Sequence, residues 1–295
     1  MTSFNQLRFF IFTILSVAFS PSYAATVDSI AIQSPSMKKA YKAAVVLPSS
    51  YAKNKVAAYP VLYLLHGGGG HFGDWLAQTP DKMLVKNLAD QYNFIIVMPE
   101  GEGFSWYMDS PFDPASQFET HIIKEVIPTV DNTYRTVKNK KGRVITGLSM
   151  GGHGAMYLST RHADMFCSAS TMSGAMDMNF SNTKMAPELV KSLNERFQAL
   201  LGTTDQNSDL FVKNSIMNMV ETIKKNGLPI FIDCGVDDFL IGTNRELHQR
   251  LLYNGTPHDY IERPGGHAWE YWQNALPYHV LFFHKVLKGN GIIVD

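Results

Sequence analysis

The sequence predicts an α/β protein whose central sheet is mostly parallel and carries helices on both faces. Three observations predict it. Short continuous apolar runs, PVLYLL at 60–65 and FIIVM at 94–98, have the two-sided burial of interior parallel strands. These runs alternate along the chain with longer segments of helical periodicity. No internal repeat, linker or compositional break divides the alternation. Of the 295 residues 45% are hydrophobic, enough for one full core, so residues 25–295 are expected to form a single domain.

Residues 43–47 open the pattern as an early strand, and 60–65 follow as a buried central one. A helix is expected over 81–92 behind Pro80, then a strand over 94–98 ended by Pro99. Residues 117–134 suit a helix that Pro128 kinks or divides. Next come a strand at 143–146, a helix at 150–161 and a strand at 167–172. Helical patterns at 187–201 and 208–225 separate that strand from another at 229–234. A helix at 243–253, a strand at 259–262 and a last helix at 268–287 complete the chain. In such a sheet the reactive groups belong on loops at the C-terminal ends of the strands.

The first 24 residues read differently. One positive charge at Arg8 precedes an apolar run over 9–19, then Ser20, Pro21 and the small-residue site Ser22-Tyr23-Ala24. That is the layout of a secretory signal, with cleavage expected after Ala24, and the run falls well short of the ~20 residues a membrane span needs. A secreted or periplasmic protein without a stable membrane anchor is expected. Lys and Arg together number 26, as do Asp and Glu, so the formal net charge is zero and no electrostatic field exists to hold a nucleic acid. The basic cluster at 138–143 reads as a solvated turn. Cys167 and Cys234 fall near opposite ends of two strands, too far apart for a bridge if those strands are neighbours, and are expected to be buried thiols. Neither has a ligand-spaced partner, so no metal site and no cofactor are expected.

Chemistry concentrates at Gly147-Leu148-Ser149-Met150-Gly151, a G-x-S-x-G pentapeptide between a predicted strand and a predicted helix. There a serine occupies a sharp strained turn, and the flanking glycines let strand and helix approach. A serine hydroxyl is a poor nucleophile until a base takes its proton, and the base must be held by a carboxylate. Only His267, in Pro264-Gly265-Gly266-His267, stands on a glycine-flanked loop after a strand. The acid is expected where the strand at 229–234 opens into Gly235-Val236-Asp237-Asp238, and either aspartate fits. An oxyanion needs two N–H donors, one from Met150 directly after the serine and one from the loop His66-Gly67-Gly68-Gly69-Gly70-His71. That loop lacks the Gly-Lys-Ser/Thr ending of a phosphate cradle, and His66 and His71 lack a third metal-binding partner.

The segments YPVLYLLHGGGG with Asp74-Trp75, VMPEGEGFSWYMDSP, GLSMGGHGAM, DCGVDDFL and ERPGGHAWEYW together resemble the esterase branch of the α/β-hydrolases. That branch includes S-formylglutathione hydrolases, feruloyl, acetyl-xylan and tributyrin-type esterases, and mycobacterial mycolyltransferases. The resemblance runs in order from about residue 43 to 287 and implies the α/β-hydrolase fold. It also implies Ser149 as nucleophile, His267 as base, Asp238 as acid, and the N–H groups of Gly68 and Met150 as the oxyanion hole. Glu100 departs from the aspartate frequent in relatives at that turn.

Trp75, Trp106, Trp269 and Trp272 fall on or beside these loops, with Tyr107. As an aromatic rim, Trp75, Trp106, Tyr107 and Trp269 would bind a sugar face or an aryl acyl group; alternatively Trp269 and Trp272 simply pack a helix at i, i+3 spacing. Met172, Met176, Met178 and Met185 line an acyl pocket or fill core gaps. The expected activity is that of a secreted serine carboxylic-ester hydrolase, working through an acyl-enzyme on acetyl or feruloyl esters of carbohydrates. Its partner is then a small-molecule or oligosaccharide acyl ester. Acyl transfer to a sugar acceptor, S-formylglutathione thioester hydrolysis and a non-catalytic ligand-binding role are the alternatives.

Overall fold

The computed structural model describes residues 24–180, 183–205 and 207–292. Most of the expected signal segment, residues 1–23, therefore lies outside the described residues. Eight strands form one sheet: β1 (Thr26–Ser34), β2 (Lys39–Leu47), β3 (Val61–Leu65), β4 (Ile95–Pro99), β5 (Arg143–Gly147), β6 (Ser168–Met172), β7 (Ile230–Gly235) and β8 (Asp259–Arg263). Their order is β1-β2-β4-β3-β5-β6-β7-β8. The β1–β2 and β2–β4 pairs are antiparallel, and every pair from β4 through β8 is parallel.

β3, β4, β5, β6 and β7 are buried along their whole length, because helices cover both faces. Under one face Val61, Tyr63, Leu65 and Ile145 join a core with Ala155, Met156 and Leu158 of the helix Met150–Arg161. Under the other Leu62, Leu64 and Ile96 pack with Leu88 of the helix Leu84–Tyr92 and with Ala275, Leu276 and Phe283 of the helix Trp269–Gly289. Leu62 and Tyr63 therefore feed opposite cores from adjacent positions, the period-2 consequence of a strand.

Several elements depart from the sequence expectation, including the short helices Ser49–Lys53 and Asp74–Ala77, which no pattern announces. β1 was not anticipated, nor the first four residues of β2; β1 is an edge strand with mostly exposed side chains, so no apolar run marks it. The segment expected as a helix over 117–134 is helical throughout but contains a wide π-type turn, His121–Val126, between Phe118–Thr120 and Ile127–Thr133. Pro128 has no N–H for the preceding turn and its ring crowds the carbonyl four residues back, and the wider turn absorbs both defects without ending the helix. The pattern at 208–225 divides into Asp209–Asn214, Ile216–Asn218 and Val220–Asn226, because Ser215 is extended, with φ −78° and ψ 131°.

Cys167 and Cys234 are both free and buried. Met172, Met176 and Met178 are core residues, Met172 beneath one face of the sheet and the other two beneath the opposite one. No helix of the described residues is long and apolar enough to cross a membrane.

His153 of the helix Met150–Arg161 stands between two distant backbone carbonyls, with Nδ1 3.2 Å from that of Trp106 and Nε2 3.0 Å from that of Asn214; the neutral ring donates to one of them, and only the imidazolium could donate to both. Complete burial pushes its pKa from 6.5 to about 4, against the pull of those two carbonyls. The folded state thus binds this proton less readily than the unfolded chain, so stability is fully present above pH 6.5 and is lost as pH falls toward 4. The loss at the acid end is on the order of 3 kcal/mol. Urea unfolding between pH 7.5 and 4.5 should show a shallower decline in His153→Gln than in the parent; equal slopes would exclude a neutral buried His153.

Candidate active site

β5 runs into the helix Met150–Arg161 through two residues, Leu148 and Ser149, and the φ of 55° and ψ of −117° at Ser149 are ones no ordinary L-residue prefers. Gly147 and Gly151 make the turn possible. A Cβ on Gly151 would lie 2.5 Å from the His66 carbonyl oxygen, and one on Gly147 would lie 2.6 Å from the Gly151 carbonyl. The backbone holds the strained serine from both sides, with its N–H donating to Met172 C=O at 3.0 Å and its C=O accepting from Ala175 N–H at 3.2 Å.

His267 stands four residues past β8, and its Nε2 lies 2.9 Å from Ser149 Oγ. Its Nδ1 lies 2.9 Å and 3.1 Å from the two carboxylate oxygens of Asp238. A carboxylate only accepts, so Nδ1 carries the ring proton and Nε2 presents a lone pair to the serine hydroxyl. Asp238 is buried and also accepts from Leu240 N–H at 2.8 Å. Asp237 is exposed, and its N–H donates to Gly265 C=O at 3.0 Å. The structure therefore brings Asp238, and not Asp237, to His267. Phe239 and Trp272 flank the imidazole at ring-centroid distances of 4.3 Å and 4.9 Å, and Trp272 Nε1–H donates to Ser173 Oγ at 3.1 Å.

Gly67, Gly68, Gly69 and Gly70 line the same cleft as Ser149 and His267, a space of about 360 Å³ completed by His71, Asp74, Gln78, Leu148, Trp269 and Trp272. Neither Gly68 N–H nor Met150 N–H has a hydrogen-bond acceptor among the described residues. His66, set aside in the sequence as a metal ligand, has a structural part here. Gly101 N–H donates to its Nε2 at 2.8 Å, so its proton resides on Nδ1, which donates to Gly67 C=O at 2.8 Å. Gly70 N–H reaches the same carbonyl at 3.1 Å. Gly67 C=O and Gly68 N–H belong to one planar peptide, so fixing the first fixes the direction of the second. The histidine between a buried strand and a glycine run was the available signal for this.

The expected aromatic rim needs correction. Trp75 is buried, donates from Nε1 to Leu65 C=O at 3.0 Å and stands edge-on to Trp269. Trp106 is buried against Phe197, Phe180 and His153. Tyr107 is wholly buried and donates from its hydroxyl to His66 C=O at 3.1 Å. The three lie next to reactive loops in sequence, but their side chains turn into the core. Trp269 alone of the four expected binding residues lines the cleft, half-buried, and Trp272 lines it too. No group of three or more His, Cys, Asp or Glu side chains suited to a metal ion occurs among the described residues.

A family model described as "Putative esterase" matches residues 34–283. The chain belongs to this esterase family. An esterase of Mycobacterium tuberculosis is 31% identical over 241 residues, covering 76% of this chain and 52% of that protein. The present esterase-family chain thus spans about half the length of that curated relative. The acetyl esterase of Caldicellulosiruptor saccharolyticus is 27% identical over 223 residues, covering 73% of this chain and 79% of that protein. Among solved structures a ferulic acid esterase superposes with a TM-score of 0.73 at 31% identity, covering 90% of this chain and 99% of that one. The esterase-family fold seen here is the α/β-hydrolase fold that the sequence led us to expect.

Proposed function

We propose that this chain is a serine carboxylic-ester hydrolase acting through an acyl-enzyme. The observation that carries the reading is the unbroken hydrogen-bonded line from Ser149 Oγ through His267 to Asp238, opening on a cleft. His267 Nε2 takes the hydroxyl proton as Oγ attacks the ester carbonyl, and Asp238 holds the resulting imidazolium. The N–H groups of Gly68 and Met150 receive the oxyanion. Collapse of the tetrahedral adduct breaks the C–O bond to the alcohol, which leaves with the proton from Nε2. Water then repeats the sequence on the acyl-enzyme, releasing the acid and restoring the serine.

The substrate class we assign is an acetyl or feruloyl ester of a carbohydrate. Relatives named acetyl esterase and ferulic acid esterase support it, as does a cleft lined both by Trp269 and by the polar residues His71, Asp74 and Gln78. The test is release of acetate or ferulate from acylated xylo-oligosaccharides, against short-chain nitrophenyl esters and S-formylglutathione. A higher kcat/KM on the oligosaccharide is expected. A preference for the glutathione thioester overturns the substrate class while leaving the serine mechanism standing, and failure to react with a fluorophosphonate overturns both.

An extracytoplasmic location accords with the signal pattern and with the surroundings of Ala25. Ala25 is buried, and its N–H donates to Asp90 Oδ2 at 2.9 Å, whereas Ala24 is exposed. Cleavage between the two would turn that N–H into an ammonium facing a carboxylate. N-terminal sequencing of the exported protein should begin at Ala25; a mature start several residues into β1 would exclude this pairing.

A further inference from the structure

Asp233 takes no part in the steps above, yet it is a fully buried carboxylate two positions from the end of β7. Burying a charge is expensive unless it is paired and hydrogen-bonded, so its partners show what it holds. They are Arg263 Nη2, from the last residue of β8, and the hydroxyl of Tyr271, in the first turn of the helix Trp269–Gly289, with Nε2 of the buried His279 farther along that helix 3.5 Å from the same carboxylate. Between those two partners the chain runs through residues 264–268, the loop that carries His267. One carboxylate thus fastens both ends of the histidine loop to the strand that leads into Asp238.

The surrounding contacts act in the same direction. β7 and β8 pair in parallel with Gly235 opposite Arg263, and past the strand ends Val236 N–H donates to Arg263 C=O at 2.9 Å. Gly235 packs so closely on the loop that a Cβ there would lie 2.2 Å from the Gly265 carbonyl oxygen. Gly265, with φ at 132°, fits against the Tyr271 ring, 2.7 Å from where its own Cβ would stand. Arg263 also donates from Nη1 to Asn274 C=O at 3.3 Å, and its guanidinium lies over the Tyr278 ring at 4.5 Å. Besides the Asp233 node, the backbone bonds from Val236 to Arg263 and from Asp237 to Gly265, the Arg263–Asn274 bond, ring packing and the His267–Asp238 bond itself set the separation of His267 from Asp238, and among these the node alone ties both ends of the loop to β7 through one side chain.

We propose that Asp233, acting through Arg263 and Tyr271, is a positioning residue that keeps His267 in register with Asp238 and Ser149. The proposal rests on the serine-esterase reading. Small displacements of a catalytic group lower the rate of the chemical step far more than they alter substrate binding.

Tyr271→Phe is the informative variant, since it keeps the ring against Gly265 and removes only the hydroxyl that reaches Asp233. With a nitrophenyl acetate substrate, kcat should fall about ten- to a hundredfold at unchanged KM. Asp233→Asn should fall further, and if it does not fold, Tyr271→Phe decides alone. A Tyr271→Phe protein with parental kcat and KM and only a lower Tm overturns the proposal, because a purely structural bond would give that result. Ser149→Ala is measured alongside. If it retains turnover the underlying reading fails; if it is inactive while Tyr271→Phe is parental, only the role of Asp233 fails.

Discussion

Ser149→Ala should abolish acyl-enzyme formation and lower kcat by about 10⁶-fold, the scale on which loss of a serine nucleophile is felt when its base and oxyanion donors remain. The side-chain bond it loses in the structure is the one to His267 Nε2, at 2.9 Å. The bond between His267 and Asp238 does not depend on it, and the strained φ of 55° is set by the backbone bonds to Met172 and Ala175. The variant should therefore fold with near-parental Tm and fail to gain mass from a fluorophosphonate. Turnover near the parental level, in material free of other esterases, would remove Ser149 from the mechanism. The free N–H groups of Gly68 and Met150 would still bind an oxyanion in the variant, so some residual catalysis above the uncatalysed rate is expected.

Much of this candidate site was legible in the sequence because three of its parts follow strands closely, β3 and β5 buried throughout and β8 partly exposed. β3 ends one residue before the glycine loop, β5 ends two residues before Ser149, and β8 ends four residues before His267. Continuous apolar runs locate buried strands, and the topology then requires that their C-terminal loops meet on one edge of the sheet. What the sequence did not carry was side-chain direction within a loop. Asp237 and Asp238 are adjacent and chemically alike, and only the turn after β7 decides that the second points inward. The same ambiguity explains the aromatic residues. Trp75, Trp106 and Tyr107 follow β3 and β4 as Trp269 follows β8, yet their side chains serve as internal braces for the loops they adjoin. Asp233 was equally obscure, since a carboxylate inside an apolar strand has no local partner, and Arg263 and Tyr271 lie 30 and 38 residues away.

The choice between the two aspartates leads to the second large effect. Asp238→Asn should lower kcat by about 10⁴-fold, whereas Asp237→Asn should leave it near the parental value. An asparagine at 238 preserves size and can still accept from Leu240 N–H, the bond that Asp238 makes at 2.8 Å. Its amide, however, turns a donor toward His267 Nδ1, where the carboxylate offered only acceptors. The imidazole then keeps its proton on Nε2, facing Ser149 Oγ, and no lone pair is left there to take the hydroxyl proton. The variant also loses the negative charge that stabilises the imidazolium as the tetrahedral adduct forms. At 237 neither consequence arises, because that side chain is exposed and its structural contribution comes from a backbone N–H that asparagine retains. Steady-state kinetics on a nitrophenyl ester, with Tm measured for both variants, separates these outcomes. Should Asp237→Asn prove the more damaging at equal stability, the carboxylate that holds His267 during turnover is Asp237, and the loop after β7 must rearrange when substrate binds.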